Sequence, residues 1–269
     1  MTINQKTEYK KYISSTVDFH NFEHAVEIAD ELGLGIEISR FGKLSELDEK
    51  FDETLKNYKA ILNGFKGEVS LHGFFSNLAI ASKDSAIKQI SIKRYYQSLE
   101  IAQTLGAKTI VFHTLKNNLL KHKEFNKIYF QQSVEFYNQF IKECENSNIT
   151  VALENVHESD PEYIRDIIAI INSNNFKACL DIGHCNLHSN LSPSEWIKTY
   201  GIMLYHMHVH NNFKDEDSHS SLLKGDIDLI QTFKTIKELN IKPSITFEIF
   251  DENALRESVD YFKNNIETL

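Results

Sequence analysis

The feature that most limits what this chain can become is an alternation running its whole length, in which short β-rich apolar runs are separated by longer stretches of helical spacing. Eight such runs predict strands at Tyr12–Val17, Gly35–Ser39, Glu68–His72, Thr109–His113, Thr150–Glu154, Lys177–Ile182, Met203–His210 and Ser244–Ile249. Helices are predicted near Asn21–Leu32, Leu44–Asn63, Asp84–Leu105, Asn126–Asn146, Pro161–Asn172, Pro193–Tyr200, Ile227–Leu239 and Asn253–Asn264. Asp160-Pro161 and Ser192-Pro193 put proline at a first helical position, and Leu32-Gly33 and Leu105-Gly106 end helices on glycine. Eight βα units in 269 residues, with three prolines, ten glycines and no Ser/Gly-rich linker, give the expectation of one α/β domain over residues 1–269. A closed (β/α)₈ TIM barrel is favoured over an open doubly wound sheet.

Composition narrows the function classes. Apolar residues make up 41% and charged residues 25%, which excludes a disordered tail or a fibrous repeat. Lys and Arg number 29 against 38 Asp and Glu, and this net charge of −9 argues against wholesale wrapping of nucleic acid or an anionic membrane. No run approaches the roughly 20 apolar residues of a spanning helix, and Met1-Thr-Ile-Asn-Gln-Lys6 lacks a signal peptide's apolar stretch, so a cytoplasmic protein with no membrane partner is expected. Cys144, Cys179 and Cys185 are odd in number and contain no CxxC pair, which suggests reduced thiols.

The chemistry is suggested by where acids and histidines fall. His72, His113, Glu154 and Glu248 each lie at or near the C-terminal end of a predicted strand, and Asp181 and His184 follow the same logic. In a barrel those ends converge on one mouth. A lone strand-end histidine or glutamate is usually a solvated or hydrogen-bonded polar residue; six together reverse that reading. Glu154 ends Val-Ala-Leu-Glu and Glu248 ends Ile-Thr-Phe-Glu, carboxylates delivered by apolar strands, where a buried charge needs a partner. A divalent cation supplies one, and mixed carboxylate and imidazole ligands suit Zn²⁺, Mn²⁺ or Co²⁺. Asp181-Ile-Gly-His184 adds a carboxylate and an imidazole to the same site, its Gly183 letting the chain turn over the mouth.

In Tyr205-His-Met-His-Val-His210 the histidines alternate, so His206, His208 and His210 share one strand face. His206 is expected deep, as a hydrogen-bonded core residue, His208 as the ligand, and His210 at the rim as a substrate contact or part of a solvated loop. Asp217 and His219 lie in a polar stretch that fits a solvated surface loop as well as a contribution to the mouth. Phe74, Phe75 and Phe213 fit rim packing, a sugar-pocket wall (Phe75 the expected substrate contact) or a wedge for a base stack.

This succession resembles the xylose isomerase-like TIM-barrel superfamily, which includes sugar isomerases and epimerases and the endonuclease IV branch (AP endonuclease family 2), and the likeness covers nearly the whole chain. It rests on Leu153-Glu154-Asn155, Asp181-Ile-Gly-His184, His208 and Glu248. In the isomerase and epimerase branch the resemblance implies one divalent metal held by Glu154, Asp181, His208 and Glu248, with His184 on the substrate. Glu154, Glu248 and His184 are then the catalytic set, the two glutamates moving a proton on an open-chain keto sugar or sugar phosphate. The endonuclease IV branch, a multi-zinc phosphodiesterase acting at abasic sites in DNA, adds His72, His113, His184, Asp217 and His219 as ligands for up to three ions. All nine positions are filled. Thr114 nevertheless stands where that branch runs Pro-Gly, Val156-His-Glu-Ser replaces its Gly-containing loop, and Asn211 sits where Asp is usual. Three dications would still leave the chain at about −3, which speaks against a duplex partner. The sugar isomerase or epimerase is therefore the expected function, with the abasic-site phosphodiesterase and a non-catalytic metal-bearing binding protein as alternatives.

Overall fold

A computed structural model describes residues 9–18, 21–42, 47–116 and 122–269. Eight parallel strands close into one barrel in sequence order: β1 (Lys11–Ser14), β2 (Gly35–Ile38), β3 (Val69–His72), β4 (Thr109–His113), β5 (Thr150–Glu154), β6 (Phe176–Asp181), β7 (Leu204–Val209) and β8 (Ser244–Phe247). β1 pairs with β8 through Tyr12 and Thr246, completing the ring. Between and after them run α1 (Phe22–Leu32), α2 (Phe51–Ile61), α3 (Ser85–Leu105), α4 (Lys123–Asn146), α5 (Glu162–Ile171), α6 (Ile182–His188), α7 (Pro193–Tyr200), α8 (Leu229–Glu238) and α9 (Glu252–Tyr261).

The strands were all foreseen, with ends shifted by up to three residues. β1 stops at Ser14 because Ser15–Asp18 coils into a 3₁₀ turn, and β8 ends one residue before Glu248. The predicted helix Leu44–Asn63 begins in residues outside those described, as does the Met1–Lys6 stretch; its described helical part is α2. The helix starts follow from chemistry. Asn21 and Asp84 accept backbone N–H groups at the heads of α1 and α3, and Ser192 with Glu195 forms a capping box ahead of Pro193. Gly33 and Gly106, at φ 67° and 76°, close α1 and α3 in the left-handed conformation that glycine adopts without a Cβ clash. Pro161 sits one residue before α5.

Alternation along the strands sorts two environments. One parity (Ile13, Ile36, Ile38, Leu71, Ile110, Phe112, Val151, Leu153, Leu180, Met207, Val209, Ile245, Phe247) packs into the main core between barrel and helices. The opposite parity faces the lumen, where Val111, Ala152 and Cys179 form a small apolar layer. Around it the lumen is polar, through Glu37, Ser70, His206 and Thr246, all buried. The register then sets His113 beside Glu154 and Asp181 beside His208. These pairs open onto the face formed by the C-terminal ends of the strands.

Candidate active site

Four residues converge on one point of that face. His208 Nδ1 lies 3.2 Å from Glu154 Oε1, 3.1 Å from Glu248 Oε2 and 3.8 Å from Asp181 Oδ2. Their ligand atoms all fall within 4.8 Å of one another. Atoms sharing one zinc-sized ion at about 2.0–2.2 Å are separated by roughly 3.3–3.6 Å along a tetrahedral edge, so this set matches the spacing of a coordination sphere. Its charge fits as well. Two buried carboxylates and a partly buried third around a single imidazole carry an excess of negative charge that a dication neutralises.

The two glutamates are held by imidazoles. Glu154 Oε2 meets His72 Nε2 at 3.2 Å and His113 Nε2 at 3.4 Å, and its Oε1 meets His184 Nδ1 at 3.5 Å as well as His208. Burial alone would raise the Glu154 carboxyl, but His208 and His113 outweigh it and hold the group well below the usual carboxylate range. Glu248 is lowered in the same way, His208 overcoming burial. Burial opposes ionisation of Asp181 too, yet His184 and His210 bring it down to about 2. In return His208, which burial would lower, is held well above the ordinary histidine range, chiefly by Glu154. His72 is raised by Glu154 against burial, whereas burial prevails at His113 and lowers it.

Asp181 does a second job. Its Oδ1 accepts the backbone N–H of His184 at 2.6 Å and so caps α6, a helix that sequence reading missed because its seven residues carry no periodic apolar stripe. Asn155, also missed, locks Asp181 in place through both backbone groups: its amide donates to the Asp181 carbonyl and its side-chain oxygen accepts the Asp181 N–H, each at 2.9 Å. His184 Nδ1 donates to the Asn155 carbonyl at 3.1 Å, leaving Nε2 3.2 Å from Asp217 Oδ2.

The polar stretch after β7 does reach the mouth. Asp217 bridges His184 and His219, whose Nδ1 donates to the Glu248 carbonyl at 2.9 Å. Burial would lower His219, but Asp217 and Glu248 hold it at about 9. A ring stack runs outward from His210 to His219 to Phe250, each step 4.2 Å between centroids. Asn211 fastens the loop by accepting the N–H of Asn212 and of Ile227.

Three expectations need correction. His210 is not at the rim; it is wholly buried, with Nε2 3.2 Å from Asp181 Oδ1 and its ring under His219, because the loop carrying Asp217 and His219 folds over it. Its contact on the site side is with Asp181. Phe74 is likewise buried, beneath the Arg94 guanidinium at 5.7 Å, whereas Phe75 stands at the mouth against His72 and His113, and Phe213 is exposed. Gly183 serves space, not turning: it lies inside α6, and a Cβ there would fall 2.0 Å from His210 Cε1. His206 is where it was expected, buried, with Nδ1 on Ser244 Oγ and Nε2 near Thr246 Oγ1. Sequence reading also passed over Glu37, which joins His206 and His208 from across the lumen.

A family model described as xylose isomerase-like TIM barrel matches residues 26–265. The chain belongs to that family. Among relatives of this xylose isomerase-like barrel, an uncharacterized protein of Methanocaldococcus jannaschii is 25% identical over 205 residues, 72% of this chain and 69% of the relative. A D-tagatose 3-epimerase-like protein superposes with a TM-score of 0.80 at 22% identity, covering 96% of this chain and 97% of that one. D-psicose 3-epimerase of Clostridium cellulolyticum, solved with D-tagatose, gives 0.77 at 19% identity over 96% and 99%. Among the described residues no helix is long and apolar enough to cross a membrane.

Proposed function

We propose that this barrel is a divalent-metal-dependent isomerase or epimerase of open-chain keto sugars or sugar phosphates. The observation that carries the reading is the placement of Glu154, at the end of β5, and Glu248, just after β8, with both carboxylates within 3.2 Å of His208 Nδ1 on β7. Glu154, Asp181, His208 and Glu248 would hold the ion. Zn²⁺ or Mn²⁺ bound there would polarise a substrate oxygen and acidify the neighbouring C–H. The chain's own groups do the rest. Glu154 and Glu248 are kept ionised by the surrounding imidazoles, so either carboxylate serves as the base that takes the proton from carbon; the proton returned comes from the carboxylic acid so formed or, on the other face, from the partner once solvent has protonated it. His184, anchored through Nδ1 on the Asn155 carbonyl, would orient a substrate oxygen through Nε2 in exchange for Asp217, and Phe75 walls the pocket beside His72 and His113. The sugar ligand and activity in the names of the structural neighbours support the same class. Incubating metal-loaded protein with ketoses in deuterated water tests it, the expected product carrying deuterium beside the carbonyl.

A specific observation keeps a second reading alive. His72, His113 and Glu154 form another compact group of ligand types, as do His184, Asp217 and His219. Together with the first group they supply nine donors for a multi-zinc phosphodiesterase acting at abasic DNA sites. The acidic chain weighs against a duplex partner. Metal-dependent nicking of an abasic-site duplex, without deuterium uptake by any ketose, would select this alternative.

A further inference from the structure

Glu37 lies in β2, buried to 1% exposure and flanked by Ile36 and Ile38. Its two oxygens have different company. Oε2 accepts from the Ser70 hydroxyl at 2.8 Å and the Thr246 hydroxyl at 3.0 Å, with His206 Nε2 also at 3.0 Å. Oε1 faces His208 Nε2 at 2.8 Å. That contact is short but lies off the ring's N–H axis, leaving Nε2 without an in-line acceptor, so it is an ion-pair contact that alignment would turn into a hydrogen bond. Glu37, His206 and His208 are close enough to be taken for a cation group of their own. His206, however, already sets Nδ1 on Ser244 and Nε2 on Thr246, which marks the deeper layer as a hydrogen-bond network.

We propose that Glu37 is the positioning residue of the cation cage: by accepting a hydrogen bond from the Nε2–H of His208 it keeps the proton on Nε2 and the Nδ1 lone pair aimed at the point shared by Glu154, Asp181 and Glu248. The inference rests on the reading of those four residues as a metal site. An imidazole ligates only through a nitrogen that carries no proton, and the partner of its other nitrogen decides which one that is. Glu37 reaches His208 from the far wall of the lumen, and Ser70 and Thr246 fix its Oε2, so Oε1 is directed at one ring edge.

The geometry also says what an amide would do here. In Glu37→Gln the three groups around Oε2 select the amide oxygen for that place, which turns the NH₂ toward His208 Nε2. A donor facing Nε2 favours the tautomer protonated on Nδ1, whose hydrogen points into the cage. The test is competition for Zn²⁺ against a chelator, with ¹⁵N spectra of the histidine rings and thermal melting read alongside. Expected are Zn²⁺ binding by the parent protein with the His208 proton on Nε2, a loss of affinity in Glu37→Gln of about ten- to a hundredfold, and partial recovery in Glu37→Asp, which restores the carboxylate. Ile236→Val, which removes a methyl group from the core outside the barrel, serves as the control, expected to lower the melting temperature with unchanged affinity. Equal affinity in parent and Glu37→Gln, or an affinity loss in Ile236→Val as large as in Glu37→Gln, overturns the positioning role. A parent protein that takes up no divalent ion overturns the metal reading itself, a separate outcome.

Discussion

Glu248 Oε2 and His208 Nδ1 stand 3.1 Å apart although they come from different strands, and Glu154 Oε1 meets the same nitrogen at 3.2 Å from the other side of β7. On the proposed reading each carboxylate is needed for metal binding and turnover, while the apolar core that lies between barrel and helices is elsewhere. Glu154→Gln and Glu248→Gln should each lower bound metal or cut turnover by about 10²-fold or more, with far-ultraviolet circular dichroism unchanged. A full metal complement together with parental turnover in both variants would show that the pair is not the reacting one.

The two flanking imidazoles of Glu154 separate the sugar reading from the multi-zinc one. If a single ion suffices, His72→Ala and His113→Ala should retain one metal per chain and substantial epimerase or isomerase activity, because both touch only Glu154 Oε2 within the cage. Elemental analysis of the purified variants decides this. A fall from two or three ions to fewer, with loss of activity in step, would move the assignment toward the phosphodiesterase.

Much of this site is legible in the sequence because strand ends are set by the apolar alternation, and a residue ending Val-Ala-Leu or Ile-Thr-Phe can go only to the mouth. Glu154, Asp181 and Glu248 were found in that way, and His208 from the alternation of histidines in Tyr205–His210. Glu37 was not, although it shares the inward parity of its strand, because it sits in mid-strand between isoleucines and its partners come from β3, β7 and β8. His210 was misplaced for a related reason: its burial depends on His219, nine residues on, whose loop conformation no local periodicity encodes. The helix α6 is invisible to periodicity because it is started by a site residue, Asp181, acting as its cap.

Space at Gly183 is as specific as charge. Gly183→Ala would drive a methyl group against the His210 ring, and we expect a cost of about 1–3 kcal/mol with weakened metal retention, since His210 supports Asp181. Chemical denaturation measures the first effect, and chelator competition the second. A variant as stable as the parent would mean that α6 gives way freely at this point.

The charge pattern also fixes a pH profile for the protein with divalent ions chelated. His219, raised from 6.5 to about 9, contributes stability that is complete below pH 6.5 and lost as the pH climbs through 9. Asp181, lowered from 3.8 to about 2, contributes above pH 3.8 and loses its contribution as the pH falls through 2. Melting temperature should therefore be highest between about pH 4 and 6.5 and decline toward pH 9. A melting temperature that rises steadily from pH 6 to 9 would contradict this assignment of partners.

Proton transfer at a sugar carbon by Glu154 and Glu248 is the step that solvent exchange reads directly. Metal-loaded protein incubated with a panel of ketoses in deuterated water should place deuterium on the carbon beside the carbonyl, because the base that takes the proton can return one drawn from solvent. Exchange should vanish on chelation, return with Zn²⁺ or Mn²⁺, and be lost in Glu154→Gln and Glu248→Gln. No exchange with any ketose, alongside metal-dependent nicking of an abasic-site duplex that falls steeply with added salt and disappears in the His72, His113 and Glu248 variants, would contradict the account.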